Sequence, residues 1–433
     1  MNIATSDVLQ KKWKDLLEAE DLPKIQNHYR KAVTAMLLEN QERDLVGATS
    51  QGQSQYLMEA PANVSGAFPA AANLKGYDPI LIALVRRSMP NLIAFDVMGV
   101  QPMNGPTGLI FAIKSKYSTQ GGTEALFNEA ATAFSGTGTQ AGTDPTSQAD
   151  ADAYKPGTGL TTTAGEALGD GGGTNFAEMA FSIDKVSVTA KTRALKATYS
   201  MEIQQDLKAV HGLDAENELA NILTNELLSE INRECIRTIY NNAVEGAQSG
   251  VTAAGTFDLD TDSNGRWAVE KWKGLMFQIE RDANVIAQQT RRGRGNILIT
   301  SADVASALSI AGLLDCGSSL QENLSHDGVV QNTFVGILNN RFKVFVDPYV
   351  STSIGYYIVG YKGQSAYDCG LFYCPYVPLT MVRSVGELSF APAIGFKTRY
   401  GMVANPFASA AGDGALGWKT NMYYRRVTVQ NIL

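Results

Sequence analysis

The sequence is poor in histidine, has no closely paired cysteines and contains no long apolar run, and each lack removes a class of function. Only His28, His211 and His326 occur among 433 residues, so imidazole chemistry has to draw on distant parts of the chain. No Gly-x-Ser-x-Gly nucleophile elbow is present. The four cysteines, Cys235, Cys316, Cys369 and Cys374, lack paired zinc spacing and fit reduced thiols better than a disulfide framework. Cys369 and Cys374, five apart around "GLFY", read as core thiols of a strand. The longest apolar run, Ile80 to Val85, falls far short of the roughly 20 residues that span a bilayer. Met1 to Leu16 carries no apolar signal segment, and export by the general secretory route is not expected. A net charge of −7 argues against a protein that grips nucleic acid, because phosphate binding needs clustered Lys and Arg. The one basic cluster, Arg291-Arg292-Gly293-Arg294, is short and reads as a solvated turn before a strand.

Two stretches suggest ligand sites and are better explained as turns. "LGDGGGTNF", Leu168 to Phe176, lacks the Lys-Ser/Thr of a phosphate-binding loop and does not follow an apolar strand. "DTDSNG", Asp260 to Gly265, matches the first half of a calcium loop, but Lys271 stands where the bidentate Glu belongs. Asp, Asn, Ser and Gly also build ordinary turns. We therefore expect no metal, no cofactor and no catalytic residue.

A hydrophobic content of 44% supports sizeable cores. Residues 6–45 read as one or two amphipathic helices, N-capped by Ser6 and broken at Pro23. Leu9, Trp13, Leu16 and Leu17 share one stripe; Ile25, Tyr29, Val33, Met36 and Leu37 share another. A polar spacer from Gly47 to Gln55 follows, and we expect it to detach these helices and leave them for a partner. An apolar patch runs from Tyr77 to Phe95. Leu109, Phe111 and Ile113 then alternate against Ile110, Ala112 and Lys114 as a strand, and Phe181 to Arg193 alternates likewise. The intervening stretch is rich in Gly, Ala, Thr and Asp, which makes the pair look like a long hairpin with an insertion. An isolated two-stranded hairpin is marginal in water and needs outside support.

A long helix is predicted from Asp214 to about Glu245, with Leu219, Ile222, Leu223, Leu227, Ile231, Cys235 and Ile239 on its apolar stripe. Helices at 267–287 and 301–313 and strands at 296–300, 341–346, 356–361, 393–402 and 423–429 follow without regular βαβ alternation, which argues for an α+β fold. In "IGFKTRYGM", Phe396, Thr398 and Tyr400 share one strand face, with Lys397 and Arg399 on the other. That segment and "YYRRVTV" read as half-buried strands, or as an interface, where Arg and aromatics are enriched.

"MPNLIAFDVMGVQPMNGPTG" (Met89 to Gly108), "LKAVHGLDAENEL" (Leu207 to Leu219), "GFKTRYGMVANPF" (Gly395 to Phe407) and "YYRRV" resemble the major capsid protein family of T-even-type bacteriophages. The resemblance runs in order from "KKWKDLLEAEDLP" to "YYRRV" and is interrupted only in the Gly-rich insertion. It implies the Hong Kong 97-type capsid fold and a virion protein of the head shell, assembled in the host bacterial cytoplasm. It implies an N-terminal segment, 1–59, that meets the internal scaffold and is removed on maturation, then an N-terminal arm, 60–107. An extended loop, 108–193, carries the insertion at about 118–175, which is shorter here than in the family's best-studied member. The peripheral domain with its spine helix covers 194–266 and resumes at 377–433; the axial domain covers 267–376.

The family's maturation protease cuts after Glu in a pattern of Leu or Ile, any residue, Glu. Leu57, Met58 and Glu59 fit it, with Ala60 as the new N-terminus. In an extended chain residues two apart point the same way, so Leu57 and Glu59 enter neighbouring pockets, and Pro61 biases Ala60 toward extended backbone. The implied partners are further copies of the chain in hexamers and shell, an internal scaffold protein, the prohead protease, the vertex protein, the portal, the host chaperonin with a phage co-chaperonin, and decoration proteins. The rival readings are the related vertex protein, which forms pentamers, and a soluble enzyme built around His211 or His326.

Overall fold

The computed structural model describes residues 3–18, 25, 27–50, 92–126, 129–142, 154–170, 175–263, 265, 267–312, 314–315, 334–350, 355–365, 367–385, 391–408 and 414–432. They fall into two compact units: Met1–Leu109 together with Ser187–Leu433, and Ile110–Val186.

The larger unit begins with helices α1 (Ile3–Lys12), α2 (Lys14–Leu17) and α3 (His28–Ser50), then a short helix α4 (Ala94–Val97) leading into strand β1 (Gly99–Val100). A four-stranded sheet has the order β1-β12-β13-β4, where β4 is Lys191–Thr198, β12 is Leu371–Val385 and β13 is Pro392–Ala404. Along β13, Phe396 and Thr398 are 1% exposed and Tyr400 5%, while Lys397 faces solvent. This is the half-buried alternation expected from period-two chemistry.

The second sheet has the order β5-β14-β11-β7-β10-β9-β8, with β6 also on β14. Its strands are β5 (Ala243–Glu245), β6 (Thr256–Asp258), β7 (Ile297–Ser301), β8 (Leu314–Asp315), β9 (Phe334–Leu338), β10 (Phe342–Asp347), β11 (Gly355–Gly360) and β14 (Asn421–Gln430). Every residue of β7 and of β11 is buried, the signature of central strands covered on both faces. A helix α9 (Ala302–Ile310) follows β7, which then pairs in parallel with β10. The mixed helix and sheet content is the α+β class expected from the sequence.

Ahead of the long helix, α6 (Met201–Asp206) runs into a π-type turn, Leu207–His211, that ends at Gly212 with φ +67°, a left-handed geometry that glycine adopts without strain. The long helix α7 spans Ala215–Asn242, 28 residues, with the Asp214 carboxylate accepting from the Glu216 N–H at its start. At about 1.5 Å per residue it is roughly 42 Å long. Leu227, Ile231, Cys235 and Ile239 on it are at most 1% exposed. Helix α8 (Ala268–Thr290) buries Leu275, Ile279, Ala283 and Ile286 completely.

The alternating stretch from Phe181 to Arg193 is two strands. Strand β3 (Met179–Thr189) pairs with β2 (Thr107–Tyr117), whereas β4 pairs with β13. Between them the Ala190 N–H donates to the Pro106 carbonyl at 2.9 Å. The more buried side chains are the even-numbered ones in β3 and the odd-numbered ones in β4, so the alternation changes phase where the partner changes. The chains approach closely here: a Cβ on Gly401 would meet the Thr189 carbonyl oxygen at 2.7 Å.

The N-terminal helices differ from expectation. Instead of standing apart, Trp13, Leu17, Val33, Ala35, Leu37 and Leu38 are 5% exposed or less and belong to the main hydrophobic core. The sequence shows two stripes, but not the distant sheet that supplies their partner surface.

The smaller unit holds most of the β2–β3 ribbon and the insertion. Its described residues include a short helix α5 (Thr162–Glu166), N-capped by Thr161, and isolated bridges Thr137 to Thr158 and Ala141 to Lys155. Tyr117 and Phe134 meet with ring centroids 4.5 Å apart.

Candidate interaction surfaces

The expected cleavage residues Leu57, Met58, Glu59 and Ala60 lie outside the described residues, as do His326 and Cys316. His211 sits exposed in the π-type turn and His28 exposed at the start of α3. Cys369 and Cys374 are 0% and 1% exposed, and burial pushes both thiols up to about 12, the behaviour of inert core cysteines.

In the Asp260–Gly265 turn the carboxylates are engaged internally. Asp260 pairs with the Lys271 ammonium, so the residue at the glutamate position supplies a cation. Asp262 accepts from the Thr252 N–H at 2.8 Å, the Thr252 hydroxyl at 2.7 Å and the Asp258 N–H at 3.0 Å. These are the bonds of a capped turn. Among the described residues no group of His, Cys, Asp and Glu is arranged to hold a metal ion.

Arg291 ends α8 in the left-handed region at φ +54°. Arg292 lies 3.7 Å from Asp368 and 4.8 Å over the Phe407 ring. The cluster therefore works partly as a packed corner, not wholly as a solvated turn. "YYRRVTV" is also more buried than expected: Tyr423, Tyr424 and Arg425 are 3% exposed or less.

Two surfaces remain. The first is the seat of α3. Asn40 donates to the carbonyls of Met103 and Tyr376, and Gln41 donates to that of Leu379, at 2.8, 3.0 and 3.2 Å. Arg30 pairs with Asp96 at 2.7 Å, and the Tyr29 hydroxyl donates to the Val100 carbonyl. Lys12 of α1 pairs with Glu39 at 2.7 Å and with Glu42. The sequence offered the apolar residues of this contact; the amide side chains carried no local signal.

The second surface is on the ribbon. Lys114 and Asp184 form a cross-strand ion pair at 2.9 Å, which puts them on one face. The alternate positions face the other way. There Phe111, Ile113, Met179, Phe181 and Ile183 are 56–68% exposed, as is Leu109 at the strand's start. Monomeric proteins rarely leave so many large apolar side chains together in water, and such a patch marks an interaction site.

Residues 74–429 match the family described as Major capsid protein Gp23. The chain belongs to this family. It is 36% identical to the Major capsid protein of Enterobacteria phage T4, over 100% of both chains. It is 37% identical to that of Vibrio phage KVP40, over 98% of this chain and 100% of the relative. The T4 alignment runs over 533 residues, so that relative carries residues this chain lacks. The Capsid vertex protein of the same phage matches less well, at 28% over 55% of this chain and 56% of its own. Among solved structures, the capsid of Myoviridae Phage XM1 aligns with a TM-score of 0.39 at 9% identity, covering 78% of this chain and 92% of that one. That likeness is too low to add to the family match. Members of the Gp23 family are structural proteins of the virion capsid, which displaces the enzyme reading built on His211 or His326. No helix among the described residues is long and apolar enough to cross a membrane.

Proposed function

We propose that this chain assembles as hexamers into the shell of a phage head and matures by proteolytic removal of residues 1–59. The observation that carries the assembly reading is the apolar face of the ribbon. A two-stranded ribbon is marginal alone, and a neighbouring copy of the subunit covers it. The Hong Kong 97-type layout supplies the other roles: α7 as the spine of a peripheral domain, and residues from 267 to 376 as an axial domain at the hexamer centre. Each contact between copies is of ordinary size, and repetition makes the shell stable. The partners follow from the same family: an internal scaffold, a protease, a vertex protein and a portal, with a host chaperonin and a phage co-chaperonin in folding and decoration proteins outside. The acidic chain suits a wall past which packed nucleic acid slides without sticking.

The protease reading rests on Leu57-Met58-Glu59 at the end of a polar spacer. Mature particles analysed by N-terminal sequencing are expected to begin at Ala60. Particles that still begin at Met1 or Asn2, or full processing of a Glu59→Ala chain, would count against the site.

A further inference from the structure

Strand β12 contains two irregularities, and side-chain donors from α3 reach backbone carbonyls within them. Pro375 and Pro378 lack the N–H that a ladder needs. The register between β12 and β13 slips between Pro375 and Val377 and again between Val377 and Thr380. Such bulges leave residues unpaired; here they are Tyr376, Pro378 and Leu379, and the Tyr376 and Leu379 carbonyls accept from Asn40 and Gln41. Asn40 and Gln41 are themselves 5% and 3% exposed. From Ala32 to Gln41 only Met36 and Glu39 are not fully buried. A helix resting on a surface buries one stripe; this one is enclosed on most of its sides.

We propose that the face made by β12 and the segment from Leu92 to Met103 is a receptor groove for residues 28–43, and that the helix keeps its seat after the chain is cut. Cutting and uncovering are then separate events. This extends the maturation reading above and depends on it only for where the natural cut falls. Severing the linker removes the tether and none of the contacts. It converts an intramolecular contact into a dissociable complex whose occupancy depends on concentration. Departure of the helix takes the Asn40 and Gln41 donors from the Tyr376 and Leu379 carbonyls and uncovers buried apolar side chains. That face then demands a new cover, because a buried acceptor left unpaired is costly.

The test replaces residues 51–56 with the recognition sequence of a sequence-specific protease unrelated to any phage enzyme. The full-length chain is cut and followed by size-exclusion chromatography. The N-terminal fragment is expected to co-elute with the remainder. Asn40→Ala, which removes the donor to both the Met103 and Tyr376 carbonyls, should weaken retention at least about tenfold, whereas Arg43→Ala, on the exposed side, should leave it unchanged. Immediate separation of the wild-type fragment from a folded remainder overturns the proposal. Hydrogen exchange on the cut wild-type chain gives a measurement that no variant's folding can spoil: α3 amides should keep the protection they have in the uncut chain, and its loss also overturns the proposal. The engineered cut does not involve Glu59, so failure of the maturation site, read by N-terminal sequencing, is distinguishable from failure here.

Discussion

Arg425 and Asp282 lie 4.0 Å apart with 4% and 2% of their side chains exposed. Burial pushes the Asp282 carboxyl up and the Arg425 guanidinium down, against their mutual attraction. The Ala247 N–H and the Tyr357 hydroxyl, each at 2.9 Å, complete the carboxylate's bonding, as a buried charge requires. Lys362 is a second such case. Its ammonium donates to the Phe95 carbonyl, and burial lowers it from 10.5 to about 8. Between these two values the unfolded chain holds a proton that the folded chain has released, so this group's contribution to stability rises with pH across the window. Lys362→Met should remove that rise. Denaturant unfolding of variant and parent over the window checks it: a stability difference that stays constant with pH would show that the ammonium is unperturbed. None of these pairings is visible locally, because residues such as Asp282 and Arg425 sit on elements far apart in sequence.

Most helices and strands announce themselves by local pattern. Helix α7 follows from its apolar stripe, although Ile222 of that stripe is 59% exposed, and β13 from the alternation of Phe396, Thr398 and Tyr400. Where one alternating stretch was read across two elements, at β3 and β4, the reading missed a change of phase that accompanies the change of partner strand. The ribbon shows the other limit. Alternation reveals which residues share a face, but Leu109, Phe111 and Ile113 look like core residues in sequence and are exposed in the fold. Ile110 and Ala112, on the opposite face, are the buried ones. Phe111→Ser combined with Phe181→Ser should therefore change the stability of the isolated subunit by no more than about 0.5 kcal/mol, yet prevent shells from forming in electron micrographs. A large loss of subunit stability, or normal shells, would contradict the assigned role.

At the scale of the whole molecule, family membership and the apolar ribbon lead to a subunit that is complete only among its copies. The matches favour the shell role over the vertex role, since the major capsid relatives align over the full chain and the vertex protein over about half. Quantitative gel analysis of purified particles should find this chain as the most abundant protein. A low copy number, matching pentameric vertices alone, would return the vertex reading.

The sequence by itself determined the mixed fold class, most of the elements, the absence of recognisable catalytic or metal motifs, and the family. These depend on residue identity and short-range periodicity, which any linear reading captures. Only the tertiary structure decided where the N-terminal helices go. Asn40 meets Tyr376 across 336 positions and Gln41 meets Leu379 across 338. No periodicity encodes such contacts, because they depend on two bulges in one strand and on the fold that carries a distant helix onto them.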